Sequence, residues 1–189
     1  MNKVGYTIEK LLSVAAALLL GVMARGQELS VSTNLVGYAN LGTLNMEAAC
    51  GVARHWTVTA GLRYNPFTFG EGEEELANMQ RSVSAGARWW PWHIYSGWWM
   101  AGKLRYQEYN FGGQRYSGAS QGDRYGGSIS GGFAYMIGKH FNVDLGVGLW
   151  AGYDRYVNYK CLHCGRITGQ GGKYFVMPDD FSLSFSYIF

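Results

Sequence analysis

Cys161-Leu162-His163-Cys164-Gly165 is the one stretch of this 189-residue chain that gathers reactive side chains. Two thiols at that spacing can close a small disulfide in an oxidising compartment, or with His163 supply part of a zinc site. The metal reading lacks a fourth ligand and a second cysteine pair. Redox catalysis fails too, because that motif normally opens a helix in a thioredoxin-like domain. A structural disulfide between Cys161 and Cys164 is therefore expected, and Cys50 is left over as a small hydrophobe. His55, His93 and His140 sit in three separate short turns, which do not guarantee the convergence a metal site needs, so they are expected as polar residues lining the periplasmic rim. No serine pairs evidently with a histidine, so no catalytic residue, enzyme activity or cofactor is expected.

The other candidates are charges in segments that alternate with period two. Between Trp56 and Tyr64, Trp56, Val58, Ala60, Leu62 and Tyr64 share a face and leave Arg63 opposite. In the same way Glu47 opposes Leu44, Met46 and Ala48, and Arg88 opposes Val83, Ala85, Ala87 and Trp89. Lys103 and Arg105 oppose Trp98, Met100, Leu104 and Tyr106, while Asp144 opposes Val143, Leu145, Val147 and Leu149. The six charges Glu47, Arg63, Arg88, Lys103, Arg105 and Asp144 are expected to share one interior as a paired, hydrogen-bonded network. Four cations face two carboxylates in that set, and a satisfied, plugged interior is favoured over an anion-conducting pore.

Those faces need elements to carry them. Eight alternating segments are predicted: Leu29 to Gly37, Thr43 to Val52, Trp56 to Asn65, Arg81 to Trp90, Ile94 to Tyr109, Tyr125 to Ile137, Phe141 to Tyr153, and Asp180 to Phe189. Each approaches the ~9 to 11 residues a tilted membrane strand requires. Three connections are tight, Ala53–His55, Pro91–His93 and Gly138–His140, and the other four are mostly longer. Short turns on one side and long loops on the other are what an eight-stranded barrel shows when both termini lie inside. In the last segment Phe181, Leu183, Phe185, Tyr187 and Phe189 share a face, the pattern of a terminal insertion strand.

Composition agrees. Charged residues make up 15% of the chain and aromatics 16%, with 28 glycines, which suits a wall facing lipid more than water. An inverted, soluble barrel with its apolar face inward would need a charge-poor surface, and its large aromatics would overfill a lumen of eight strands. The net charge of +3 is spread without a basic run, so no nucleic-acid partner is expected. Lys3 and Lys10 precede the apolar run Leu11 to Val22, and Ala24-Arg25-Gly26 offers a cleavage site. The expected organisation is a signal peptide over 1–26 and one barrel domain over 27–189. The fold class is all-β, an eight-stranded antiparallel up-and-down transmembrane β-barrel after a cleaved signal peptide, located in the cell outer membrane. Trp56, Trp89, Trp90, Trp92, Trp98 and Trp99 are expected to form an aromatic girdle at the inner rim.

Thr33-Asn34-Leu35, the Gly51-to-Val58 run, Tyr64-Asn65-Pro66-Phe67-Thr68-Phe69, Tyr109-Asn110-Phe111-Gly112-Gly113, Gly138-Lys139-His140-Phe141-Asn142-Val143 and Cys161-x-x-Cys164-Gly165 occur in that order. Together they resemble a Bacteroidota outer-membrane barrel family designated only as a domain of unknown function. The resemblance implies an outer-membrane barrel with no assigned activity. The expected partners are outer-membrane lipid and lipopolysaccharide, the outer-membrane insertion machinery, and an extracellular protein or glycan reached through the loops. Glu71, Glu73, Glu74 and Glu75 make the second outer loop acidic, and Arg115, Arg124, Arg155, Lys160 and Arg166 make the later ones basic. A structural or surface-interaction role leads. A subunit of an envelope or fimbrial assembly and a lipid-modifying enzyme built around His163 are the alternatives.

Overall fold

The computed structural model describes residues 28–70, 76–113, 118–160, 165–179 and 181–189. Cys161, His163 and Cys164, the acidic run at 71–75, Arg115 and the leader at 1–26 lie outside the described residues. The elements in chain order are β1 (Leu29–Asn34), α1 (Leu35–Ala39), β2 (Leu44–Ala53), β3 (Trp56–Asn65), β4 (Thr68–Phe69), β5 (Leu76–Trp89), β6 (Gly97–Gly113), β7 (Ala119–Ile137), β8 (Phe141–Tyr159), β9 (Ile167–Pro178) and β10 (Ser182–Ile188).

All pairings are antiparallel, and the sheet closes on itself through β1, β2, β3, β5, β6, β7, β8 and β10. Two wall strands are interrupted. β4 continues β3 in the same register along β5, past Pro66, which has no N–H to give the ladder. β9 and β10 both pair with β8, offset by one residue where the chain breaks between Pro178 and Ser182.

Register also fixes the tilt. Ala151 of β8 faces Gly127, then in turn Leu104, Ala85, Ala60, Ala48, Val31 and Tyr187, which returns to β8 at Phe141, ten residues from the start. A stagger of ten residues around eight strands inclines them by roughly 40° to the ring axis. Strand parity then sorts the side chains. Leu104 (73% exposed) and Ile129 (69%) point away from the ring, while Asn142 (0%) and Asp144 (5%) point into it.

Several strands outrun the expected lengths. β6 reaches Gly113, β7 begins at Ala119 and β8 runs to Tyr159, so most of what reads as outer loop is sheet. β1 is shorter than expected, because Asn34 caps α1 by accepting from the Val36 N–H at 3.0 Å. Residues Ile94–Ser96 belong to a turn rather than to β6. Tyr95 there has a positive φ of 64°, held because its hydroxyl donates to the Glu28 and Ala49 carbonyls at 3.0 and 3.2 Å. Burial pushes its phenol up to about 12, so it remains a donor at any physiological pH. With Trp90, Trp99, Ala49, Ala134 and Ile188 it forms the apolar core, which closes one end of the ring.

Candidate functional site

The interior above that core is stacked in layers of ionic pairs. Glu47 on β2 sits between two cations: its Oε1 is 3.1 Å from Arg88 Nη2, and its Oε2 accepts from Lys103 Nζ. Arg88 also reaches Asp144 Oδ2 on β8 at 3.5 Å, and Ser186 donates to that oxygen from β10 at 3.3 Å. Five strands thus meet on one cluster, and Arg63 lines the same small polar cavity of about 70 Å³. Arg105 pairs instead with Asp179, in the break between β9 and β10.

A third pair lies higher. Arg124 Nε donates to Asp154 Oδ2 at 3.2 Å, and Tyr109 donates to Oδ1 of the same carboxylate at 2.8 Å. Each of the three arginines also lies over an aromatic ring: Arg88 over Trp99 at 4.1 Å, Arg105 over Trp150 at 5.0 Å, and Arg124 over Tyr109 at 4.1 Å. An arginine is well suited to this sandwich, since its face meets the ring while its edge donates to the carboxylate. Burying such cations is tolerable because each has both partners.

Of the six interior charges read from sequence, the structure brings Glu47, Arg88, Lys103 and Asp144 into one cluster, with Arg63 and Arg105 lining the same cavity. The charge balance differs from expectation, since Asp179 and Asp154 join the carboxylates and Arg124 joins the cations. Arg124 is not a loop charge, because it stands on the inward face of β7. Two tryptophans are likewise misplaced by the girdle reading. Trp90 (0% exposed) and Trp99 (4%) are inside, Trp90 donating to Thr57 Oγ1 at 3.2 Å. Their parity with Arg88 and with Lys103 carried that signal, which the general interfacial preference of indole overrode.

In the last strand Phe185, Tyr187 and Phe189 are outward, with Phe141 packed against Phe185 and Tyr187. Phe181 is exposed and Leu183 half-buried. The Phe189 N–H donates to the Leu29 carbonyl at 2.8 Å, joining the two ends of the described chain. His55 and His140 each bond a backbone carbonyl at 2.9 Å, those of Trp90 and Ile188. Among the described residues no three potential metal ligands converge.

Residues 12–189 match the model of a family described as protein of unknown function (DUF3575). The chain belongs to that family. Among curated proteins and solved structures, nothing matches it. The DUF3575 match spans every motif from Thr33 to Gly165 and the interior charges alike, so the ionic interior lies wholly within the family domain.

Proposed function

We propose that this protein is a small outer-membrane β-barrel with a plugged lumen, a structural or surface-interaction role and no enzymatic activity. The observation that carries the reading is the order of the outward residues. Trp56, Trp89, Trp98, Phe141 and Tyr187 stand toward the inner end. A row of register partners, Tyr106, Tyr125, Tyr153 and Tyr174, stands toward the outer end. Between them Ala85, Leu104, Val58, Ile129 and Leu149 present no charge. The next row outward is ionic: Arg81, Glu108, Asp123 and Arg155.

Trp98 to Tyr106 spans about 26 Å of strand, or ~20 Å of height at a 40° tilt, close to the ~25 Å apolar band of outer-membrane barrels. Apolar exposure on this scale fits a lipid-facing wall and would make a water-facing one aggregate. The layered ion pairs support a closed lumen. On this reading residues 1–26 are a cleaved signal peptide, the surrounding partners are lipid and lipopolysaccharide, Phe189 engages the insertion machinery, and the outer loops meet an extracellular protein or glycan.

An epitope inserted after Gly165 tests the reading. Antibody should bind it on intact cells, and the tagged protein should fractionate with the outer membrane and shift in gel mobility on heating. Recovery in the soluble fraction, with no heat shift, would overturn it.

A further inference from the structure

Charge is uneven along the hairpin of β8 and β9. From Arg155 to Lys173 the sequence carries four Lys or Arg residues and no carboxylate. Lys160 and Arg166 face each other at the neck, where the Lys160 N–H donates to the Arg166 carbonyl at 3.0 Å. Like charges opposite one another on paired strands repel. Lys173 stands opposite Asp154, yet both oxygens of that carboxylate are taken, Oδ2 by Arg124 at 3.2 Å and Oδ1 by Tyr109 at 2.8 Å. The Lys173 ammonium lies instead over the Tyr156 ring, 5.2 Å from its centroid, which steadies it without neutralising it. Among the described residues none of Lys160, Arg166 and Lys173 forms an ion pair. Two other cations of the outer end do meet carboxylates, since Arg81 bonds Glu108 and Arg155 faces Asp123 across β7 and β8.

Two of the three cations flank or occupy an edge strand. β9 pairs only with β8, so the N–H groups along its other side have no strand to bond. A Cβ on Gly165 or Gly169 would meet nothing within 4 Å, which leaves open space beside this backbone. Backbone N–H groups at a sheet edge attract anions. Arg166 and Lys173 are separated by about 23 Å of strand, a length that suits an extended polymer and exceeds a single phosphate or carboxylate.

Height and composition choose among polyanions. Lys160 lies about 23 Å of strand beyond Tyr153 of the tyrosine row, or about 18 Å of height at the tilt of the ring. A headgroup layer is only about 5 to 8 Å deep, so a lipid phosphate does not reach the neck. Protein partners are held by buried aromatic or aliphatic anchors. Among the described residues from Lys160 to Gln170, Ile167 alone is such a side chain, and Thr168 and Gln170 offer a hydroxyl and a carboxamide. That surface fits a hydrophilic chain bearing negative charge.

We infer that the hairpin of β8 and β9 binds an anionic polysaccharide along the unpaired edge of β9, through Lys160, Arg166 and Lys173. The inference rests on the outer-membrane reading, which puts this hairpin outside the cell, and it names the chemistry of the glycan.

The test folds full-length mature protein in a zwitterionic detergent, checks folding by heat-dependent gel mobility, and titrates it with polygalacturonate, neutral dextran of equal length and polyglutamate. Saturable binding of polygalacturonate is expected, with dextran silent and polyglutamate at least tenfold weaker. Lys160→Gln with Arg166→Gln should weaken binding at least tenfold and Lys173→Gln severalfold. Arg54→Gln with Lys139→Gln, which removes two exposed cations from the opposite end, should leave it unchanged. Raising salt from about 0.1 to 1 M, which shortens the screening length from about 10 to about 3 Å, should cost the unaltered protein at least tenfold. Equal losses from the two double variants would reduce the effect to bulk charge and overturn the inference. Equal binding of dextran overturns it as well, and equal binding of polyglutamate does so in favour of an acidic protein. Heat-modifiable protein that binds none of the three polymers also overturns it and leaves the barrel intact. A chain that stays soluble without detergent sinks the barrel reading itself.

Discussion

Glu47 holds two cations at once, and this makes it the residue whose loss the interior tolerates least. Removing its carboxylate leaves Lys103 without its bonded partner and Arg88 with Asp144 alone. Glu47→Ala is expected to cost about 3–5 kcal/mol, the range for an uncompensated buried charge. Urea titration of the refolded protein in lipid vesicles measures it. The double variant Glu47→Met with Lys103→Met keeps Arg88 on Asp144 and should recover most of the loss; a double variant as unstable as the single one would show that packing, not charge, dominates here. Arg88 itself was legible from parity, and so was Asp144. Their meeting across β5 and β8 was not, because strands distant in sequence become neighbours only when the ring closes. Asp179 was missed for a local reason: it lies in the break between β9 and β10, where alternation gives no guide.

At the scale of the element, glycine makes room for the aromatic layer. A Cβ on Gly146 would fall 2.7 Å from the Trp99 ring and 2.8 Å from Ser182 Oγ, whereas one on outward Gly102 would meet nothing within 4 Å. Gly146→Val is therefore expected to lower the yield of heat-modifiable protein on refolding by severalfold, while Gly102→Ala leaves it unchanged. Equal yields from the two would refute the packing of Trp99 against β8. The last strand makes a separate prediction. Deleting Phe189 removes an outward ring and one hydrogen bond to β1. If its role is insertion, the deletion slows assembly in cells by severalfold and leaves spontaneous refolding into vesicles nearly untouched; equal slowing in both settings would make its role purely structural. The strand extensions of β6, β7 and β8 escaped a length template set by membrane thickness, because ladder hydrogen bonds continue into water without any apolar pattern.

For the whole molecule, what matters is which surface meets which solvent. On the outer-membrane reading Ile129 and Leu104 stand mid-band, where an arginine costs ~2 to 4 kcal/mol. Ile129→Arg should lose stability of that size in vesicles, and Gln170→Arg at the outer rim almost none; equal effects would argue against a lipid-facing wall. On the same reading the layered ion pairs plug the lumen and the protein is silent. Planar-bilayer recordings of the purified chain are expected to show no steady conductance, and a stable open level of several hundred picosiemens would show that the ionic layers part.

The sequence by itself determined eight wall segments, the faces they present and six of the interior charges, because period two is a local property that follows from covalent geometry. It also carried the family motifs. Only the tertiary structure decided which interior charges meet, that Trp90 and Trp99 lie inside, that Arg124 and Asp154 belong to the ring's interior, and that β4 and β9 continue along β5 and β8 beyond the closed ring. Those outcomes depend on a closing register of ten residues around eight strands. Closure joins the two ends of the chain and sums the offsets of every pairing between them, and no local pattern encodes such a sum.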